Sequence, residues 1–236
     1  GEDHKTGQNS DPKMSYSRLE SWARKKFPMI EEAIYQWSGQ VMEPVDGLAY
    51  LGKNPMDDEN VYIITGDSGN GMTHCTLGAM LITDLIMGRD NEWKDLYNPA
   101  RISVSATKNY LQENANVALQ YADWLNPKLK PDLEELPLDE GLVFRDGAKM
   151  VAVYKNINGE LEYMSALCPH LAGIVSWNTA EKSWDCPCHG SRFDCHGKVQ
   201  EGPASHDLVK LNLFTNDNTH ILEKDLQSRF NKNLMD

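Results

Sequence analysis

Four side chains constrain the second half of this chain more than anything else in it. Cys168 and His170 stand in Cys168-Pro-His170, and Cys186 and His189 stand in Cys186-Pro-Cys-His189, with residues 171–185 between them. Each segment brings one thiol and one imidazole. Pro169, Pro187 and Gly190 favour tight turns, so each pair falls at a loop tip. Two such loops facing one another could clamp a binuclear centre, thiolates on one iron and imidazoles on the other. A single structural zinc with two Cys and two His is also compatible with the spacing. Zinc sites more often open with a close Cys pair and take both histidines from a helix, whereas here the ligand types alternate between loops.

The surroundings of these loops read as β structure. From about residue 137, short runs (GLVFR, KMVAVYK, LEYMSA, GIVSW, VKLNLF, THILE) alternate with turns such as Asp146-Gly147 and Asn158-Gly159. That pattern predicts an all-β domain over 137–236, ending in a polar tail at 224–236. Cys195-His196 sits in Asp194-Cys-His-Gly197, which reads as a turn between strands rather than as further ligands. Cys75 reads as a small packed residue, and Cys188 and Cys195 as free thiols.

The first half reads differently. Ser15 is the predicted N-cap of a helix through Leu19, Trp22, Ala23 and Phe27, stopped by Pro28. Ala33–Ser38 predicts a strand, and the stretch 41–52 a loop packed inward. Val61–Thr65 predicts a buried strand, Gly66-Asp-Ser-Gly-Asn-Gly71 a glycine-rich turn, and Met72–Met87 a helix stopped by Gly88. A strand, a glycine turn and a helix N-terminus together offer free N–H groups and positive dipole to a phosphate or cofactor. Residues 107–125 predict a second amphipathic helix, and 126–132 a linker.

Composition narrows the classes. The 236 residues can bury a core without disulfides. A net charge of −12 excludes a basic nucleic-acid footprint and disfavours anionic membrane. No apolar run approaches the ~18 residues of a membrane span, and no secretory signal pattern is present. Five cysteines, four of them clustered near histidines in such a chain, point to metal rather than to a disulfide scaffold, and to a cytoplasmic protein.

The flanks of the Cys/His loops carry a resemblance. Cys168-Pro-His-Leu171 and Cys186-Pro-Cys-His-Gly-Ser-Arg-Phe193, followed by Gly197 and Gly202-Pro-Ala204, resemble a Rieske [2Fe-2S] domain over 137–223. The resemblance implies Cys168 and Cys186 on one iron, His170 and His189 on the other, and three stacked antiparallel sheets. Neutral imidazoles in place of two thiolates make reduction easier than in an all-Cys cluster. Two departures bear on the potential. Gly173 stands where high-potential members carry a cysteine bonded to the one equivalent to Cys188, and Phe193 stands where they carry a tyrosine donor. Ser191 remains as a donor beside the cluster.

The first half resembles the C-terminal part of the FAD-dependent D-amino-acid oxidase/glycine oxidase superfamily. The matching stretches are Tyr35-Gln-Trp-Ser-Gly-Gln40, Pro44–Gly52, Val61–Thr73 and Leu85-Ile-Met-Gly88. The resemblance implies that the backbone of Gly69, Asn70, Gly71 and Met72 faces a flavin, with Asp46, Gly47 and Leu48 nearby. His74 reads as an ordinary residue of the helix start. No G-x-G-x-x-G fingerprint occurs in the chain, and it opens on Gly1 rather than Met. It therefore reads as the C-terminal part of a longer flavoenzyme, without flavin by itself.

The expected fold class is α+β: a flavoprotein-domain fragment (1–105), a helical linker (106–136) and an all-β Rieske domain of stacked antiparallel sheets (137–236). The expected function is a redox module that takes electrons from a flavin domain and passes them singly to an unidentified acceptor. The alternative is a stand-alone Rieske ferredoxin-like carrier. The expected cofactors are a [2Fe-2S] cluster here and FAD in the parent protein, whose upstream flavin-binding part is the expected partner.

Overall fold

The computed structural model describes residues 2–9, 11–102, 107–125 and 131–212. The predicted strand at 219–223, the tail 224–236 and most of the 126–132 linker lie outside these. In chain order the elements are α1 (Pro12–Lys26), β1 (Tyr50–Lys53), β2 (Tyr62–Thr65), α2 (Gly71–Ile86), α3 (Thr107–Gln120) and a 3-10 turn (Tyr121–Leu125). Seven strands follow: β3 (Glu140–Asp146), β4 (Lys149–Lys155), β5 (Leu161–Ser165), β6 (Ser176–Asn178), β7 (Ser183–Asp185), β8 (Arg192–Asp194) and β9 (Val199–Glu201). The chain divides into two compact units, Ile34–Leu119 and the combination of Gly1–Ala33 with Gln120–Asp236. These cuts differ from boundaries at 105 and 136, because the opening residues cluster with the β-rich region.

Within Ile34–Leu119, β1 and β2 pair antiparallel with Leu51 opposite Ile64. Helix α2 packs on this hairpin through Gly78, where a Cβ would come 2.8 Å from Ile64 Cδ1 and 3.3 Å from Leu51 Cδ2. Leu51 and Leu81 are fully buried. Arg101 locks the segment before β1. It bonds Asp46 at 2.7 and 2.8 Å, donates to the carbonyls of Ala49 and Leu48, and lies 4.0 Å over the Tyr50 ring. The predicted inward loop over 41–52 thus ends in a strand from Tyr50, with Ala49 and Leu51 buried.

Two other expectations are corrected. Ala33–Ser38 forms no strand: it has no regular structure, and Tyr35 and Trp37 are 81% and 78% exposed. An apolar run becomes a strand only with a neighbour to complete its ladder. Helix α1 starts earlier than Ser15. Asp11 caps it, accepting from Met14 N, and Pro12 takes the first helical position, where its missing N–H costs nothing. Ser15 is instead a buried helix residue whose hydroxyl accepts from Asn9.

The β-rich unit holds two antiparallel sheets among the described residues, ordered β3-β4-β5 and β6-β7-β8-β9. Two further pairings are single bridges, Met164–Lys210 and Leu167–Ile174. The central strand β4 is buried over Met150–Tyr154, and Phe144, Val151, Val153 and Leu136 form a core with Leu142 and Leu161 against it. Strands β7, β8 and β9 lie in stretches that sequence patterning leaves unassigned. They are three residues long and rich in charge, yet Ser183, Asp185 and Arg192 are buried.

Candidate metal centre

Two hairpin tips build the site. The first joins β5 to β6: Val175 N donates to Ala166 O (2.9 Å), Cys168 N to Gly173 O (2.8 Å) and Ala172 N to Cys168 O (2.9 Å). The second joins β7 to β8: Cys186 N donates to Ser191 O (2.8 Å) and Gly190 N to Cys186 O (3.0 Å). Beneath the second tip, Arg192 bonds Asp185 (3.1 Å) and Glu181, and Asn178 Nδ2 donates to Asp185 (2.9 Å). Burial opposes the Arg192 charge, but Glu181 and Asp185 outweigh it and raise its pKa. The opening residues brace this tip and the strands leading to it. Gln8 Nε2 donates to Pro187 O (3.0 Å), Ser176 Oγ to Gly7 O (2.9 Å), and Tyr16 to Glu181 (2.5 Å).

The two tips bring Cys168, Cys186, His170 and His189 together as two pairs. Cys168 and Cys186 are both buried, and close enough that each thiol shifts the ionisation of the other. The rings of His170 and His189 meet edge to face, centroids 4.9 Å apart. Among the described residues no three His, Cys, Asp or Glu side chains are gathered so as to hold a single metal ion.

The two buried thiols act on one another's ionisation. A hydrogen bond from Cys186, with smaller contributions from the His170 N–H and the Ser191 hydroxyl, brings Cys168 down to about 6 against the cost of burial. The same thiol bond and burial push Cys186 up, while the Cys188 and His189 N–H groups pull the other way. Burial, then the neighbouring His170, lowers His189. Ser191 is fully buried and links three elements, its Oγ accepting from Ala204 N (3.0 Å) while its hydroxyl favours the Cys168 thiolate.

These observations fit a thiolate- and imidazole-held cluster. His170 Nδ1 is buried without a hydrogen-bond partner, a state that interiors avoid unless something else occupies the lone pair. The N–H of His170 favours the Cys168 thiolate and those of Cys188 and His189 favour that of Cys186, as a site for anionic sulfur requires. Gly173 closes the back of the site: a Cβ there would lie 2.6 Å from Cys188 Sγ and 3.1 Å from Cys186 Sγ. All five cysteines are free thiols, and burial raises Cys188. Cys195 and His196 sit away in the β8–β9 turn. There Asp194 Oδ1 accepts from His196 N and Lys198 N, and His196 Nδ1 meets Glu162 (2.8 Å).

In the other unit, Gly69, Asn70, Gly71 and Met72 form the start of α2. Gly69 takes a left-handed turn (φ +74°), Asn70 is the N-cap, Gly71 opens the helix and Met72 is 91% exposed. His74 Nδ1 lies 3.1 Å from Asp67 O, a local contact at the helix start. Sequence reasoning missed three residues beside the metal-centre loops: Gln8, Tyr121 and Trp124. Tyr121 counted only as one apolar position of a linker helix, and a polar Gln in an opening segment without periodicity gives no signal.

The fold and the paired donors define a class, and comparison with known families agrees. Residues 130–214 match the Rieske [2Fe-2S] domain, and residues 1–85 match the FAD dependent oxidoreductase family. The chain therefore joins a segment of a FAD-dependent oxidoreductase to a Rieske domain, an electron-transfer module that indicates a [2Fe-2S] cluster. One similar protein is YhfW of Bacillus subtilis (strain 168), whose name gives it as a Rieske 2Fe-2S iron-sulfur protein. It is 32% identical over 217 residues, 90% of this chain and 42% of its own length. The cytochrome b6-f complex iron-sulfur subunit 1 of Nostoc sp. PCC 7120 is 50% identical over 46 residues, 20% of this chain and 26% of its own. The chain thus spans less than half the length of these relatives. Among solved structures, the plasma membrane Rieske protein PetC3 of Synechocystis PCC 6803 is 30% identical, covering 39% of this chain and 92% of its own, with a TM-score of 0.31. Among the described residues no helix is long and apolar enough to cross a membrane.

Proposed function

We propose that Cys168 and Cys186 hold one iron of a [2Fe-2S] cluster and His170 and His189 the other, and that the module relays electrons singly from a flavin to an acceptor. The observation that carries this reading is the separation of donors at facing hairpin tips, a thiol pair and a ring pair with an unpartnered Nδ1. When bound, such a cluster supplies one-electron storage at a potential above that of all-Cys centres. The chain's own residues do the rest. Backbone N–H groups and Ser191 offset sulfur charge, and burial of the thiols keeps water from them. The exposed ring of His189 and side chain of Leu171 offer a face for exchange with a partner.

The parent is read as a FAD-dependent oxidoreductase in which Gly69–Met72 face the flavin. Support comes from the glycine turn before α2 and from apolar side chains there without cover, Met72 and Met80 among them. The remainder of the flavin domain is the partner that covers them. Adjacent free thiols suit a reducing compartment, and we place the protein in the cytoplasm.

Iron and acid-labile sulfide analysis with EPR of the reduced chain tests the site. Two irons and two sulfides per chain are expected, with an average g below that of all-Cys clusters. One zinc and no sulfide would overturn it.

A further inference from the structure

The first ligand loop is a demanding piece of backbone. Between Cys168 and Gly173 it turns back in six residues, and Ala172 takes a left-handed conformation (φ +56°) that its Cβ disfavours. Only two backbone bonds close it internally, Ala172 N to Cys168 O and Cys168 N to Gly173 O. What holds the outer side comes from outside the β sheets. The Tyr121 hydroxyl donates to Leu171 O at 2.6 Å, and Trp124 Nε1 donates to Ala172 O at 3.2 Å. Both donors belong to the single 3-10 turn Tyr121–Leu125. That turn is itself tied down, since Arg145 of β3 donates to Trp124 O.

We propose that this turn is a clamp on the first cluster loop, and that Tyr121 and Trp124 are positioning residues for the metal centre. The inference rests on the reading of Cys168 and His170 as ligands. Its logic is peptide geometry. In a trans peptide the carbonyl and the next N–H point opposite ways. Drawing the Leu171 carbonyl outward therefore turns the Ala172 N–H back across the loop onto Cys168 O, and drawing the Ala172 carbonyl outward turns the Gly173 N–H inward. The negative ends of both dipoles are kept off anionic sulfur, and the positive end of the second is left to face it, as a sulfur-held cluster requires. The clamp also holds Ala172 in a conformation that it would otherwise leave. Gly173, whose missing side chain gives room to Cys186 and Cys188, cannot brace the loop itself. The clamp thus does for the first loop what Gln8, donating to Pro187 O, does for the second.

The full chain, loaded with cluster, provides the test, using Tyr121→Phe, Trp124→Phe and the double variant. Loss of visible cluster absorbance to excess EDTA should speed up about fivefold for each hydrogen bond removed, and the effects should compound in the double variant. Hydrogen exchange of residues 167–174 should rise, in loaded and metal-free chain alike, while residues 186–191 keep wild-type protection. Leu161→Ala is the control for general loosening: it weakens the sheet and raises exchange across β3–β5. Wild-type rates and exchange in Tyr121→Phe and Trp124→Phe would overturn the clamp, as would exchange that rises uniformly as in the control. If Trp124→Phe does not fold, Tyr121→Phe, which keeps its ring, decides alone. Failure of the wild-type chain to take up iron and sulfide overturns the ligand reading instead, and exchange in the metal-free chain still decides the clamp.

Discussion

Strand β4 and helix α2 are both apolar, and they are treated oppositely. Five consecutive residues of β4 are buried, on both faces of the strand, within sheets that the described chain supplies. Helix α2 carries Met72, Leu77, Met80, Leu81, Ile82 and Ile86, yet buries only Gly78 and Leu81. A helix apolar on all sides normally belongs inside a core. Strand β4 finds its cover within the sheets beside it, whereas α2 covers only the face turned to its hairpin among the described residues. The difference lies in whether the described residues around an apolar element supply its cover.

Several experiments can break or sharpen this contrast. The largest effect is expected at the site: Cys168→Ser or Cys186→Ser should abolish cluster absorbance, while Cys75→Ser should leave iron content unchanged. Next, Phe144→Ala should destabilise the β-rich unit by about 3–5 kcal/mol in a denaturant titration. A much smaller loss would mean that its core is no tighter than that of Ile34–Leu119. In that second unit the decisive group is polar. Arg101→Met should cost about 2–3 kcal/mol, because it strands the buried Asp46 carboxylate and two carbonyls. The hydrogen bond from Arg101, opposed by burial, holds Asp46 below its ordinary 3.8. A carboxylate with a depressed native pKa stabilises fully above its unfolded value, so this contribution should vanish as pH falls below about 4. Acid titration of Arg101→Met should lack that loss.

Smaller effects are expected on the potential. Ser191→Ala removes a donor to Cys168 and should lower the midpoint potential by tens of millivolts, on the order of a hydrogen bond to a charged group. Asp123→Asn removes a negative charge that raises the Cys188 pKa, and should raise the potential. With Gly173 and Phe193 in place, the wild-type value should lie below about +300 mV, the top of the Rieske range. Protein-film voltammetry reads all three. Smallest of all, Met72→Ser should change stability by less than about 0.5 kcal/mol, since the side chain is in water already. A loss above 2 kcal/mol would show that α2 is covered after all.

How much of this was legible in the sequence followed from what each residue must do. The loop tips were readable because Cys, His, Pro and Gly each carry a local requirement, for ligation or for turning. Strands β3, β4 and β5 were readable from apolar runs between turn dipeptides. Strands β7 to β9 were not, because they are three residues long and the neighbours of buried Trp184 and Phe193 are Ser183, Asp185 and Arg192, polar groups that are buried too and satisfy one another. Ala33–Ser38 misled for the opposite reason, having strand composition but no ladder to join. The start of α1 was misplaced at Ser15, because Asp11 caps the helix and Pro12 takes its first position, within a polar stretch that gives no period. Tyr121 and Trp124 were invisible because nothing in a sequence says which carbonyls an aromatic donor will reach 48 or 50 residues away.

One earlier contact bears on how the molecule is made. Gln8 reaches Pro187 across 179 positions of chain. Gly7 approaches so closely that a Cβ there would lie 2.8 Å from both Asp185 O and Pro187 N. On the ribosome, the arm around Gly7 emerges long before the loop that receives it. Such a contact raises the contact order of the unit and forms late, after Ile34–Leu119 has left the exit tunnel. The contact over the β7–β8 tip is thus among the last that this unit closes as it folds.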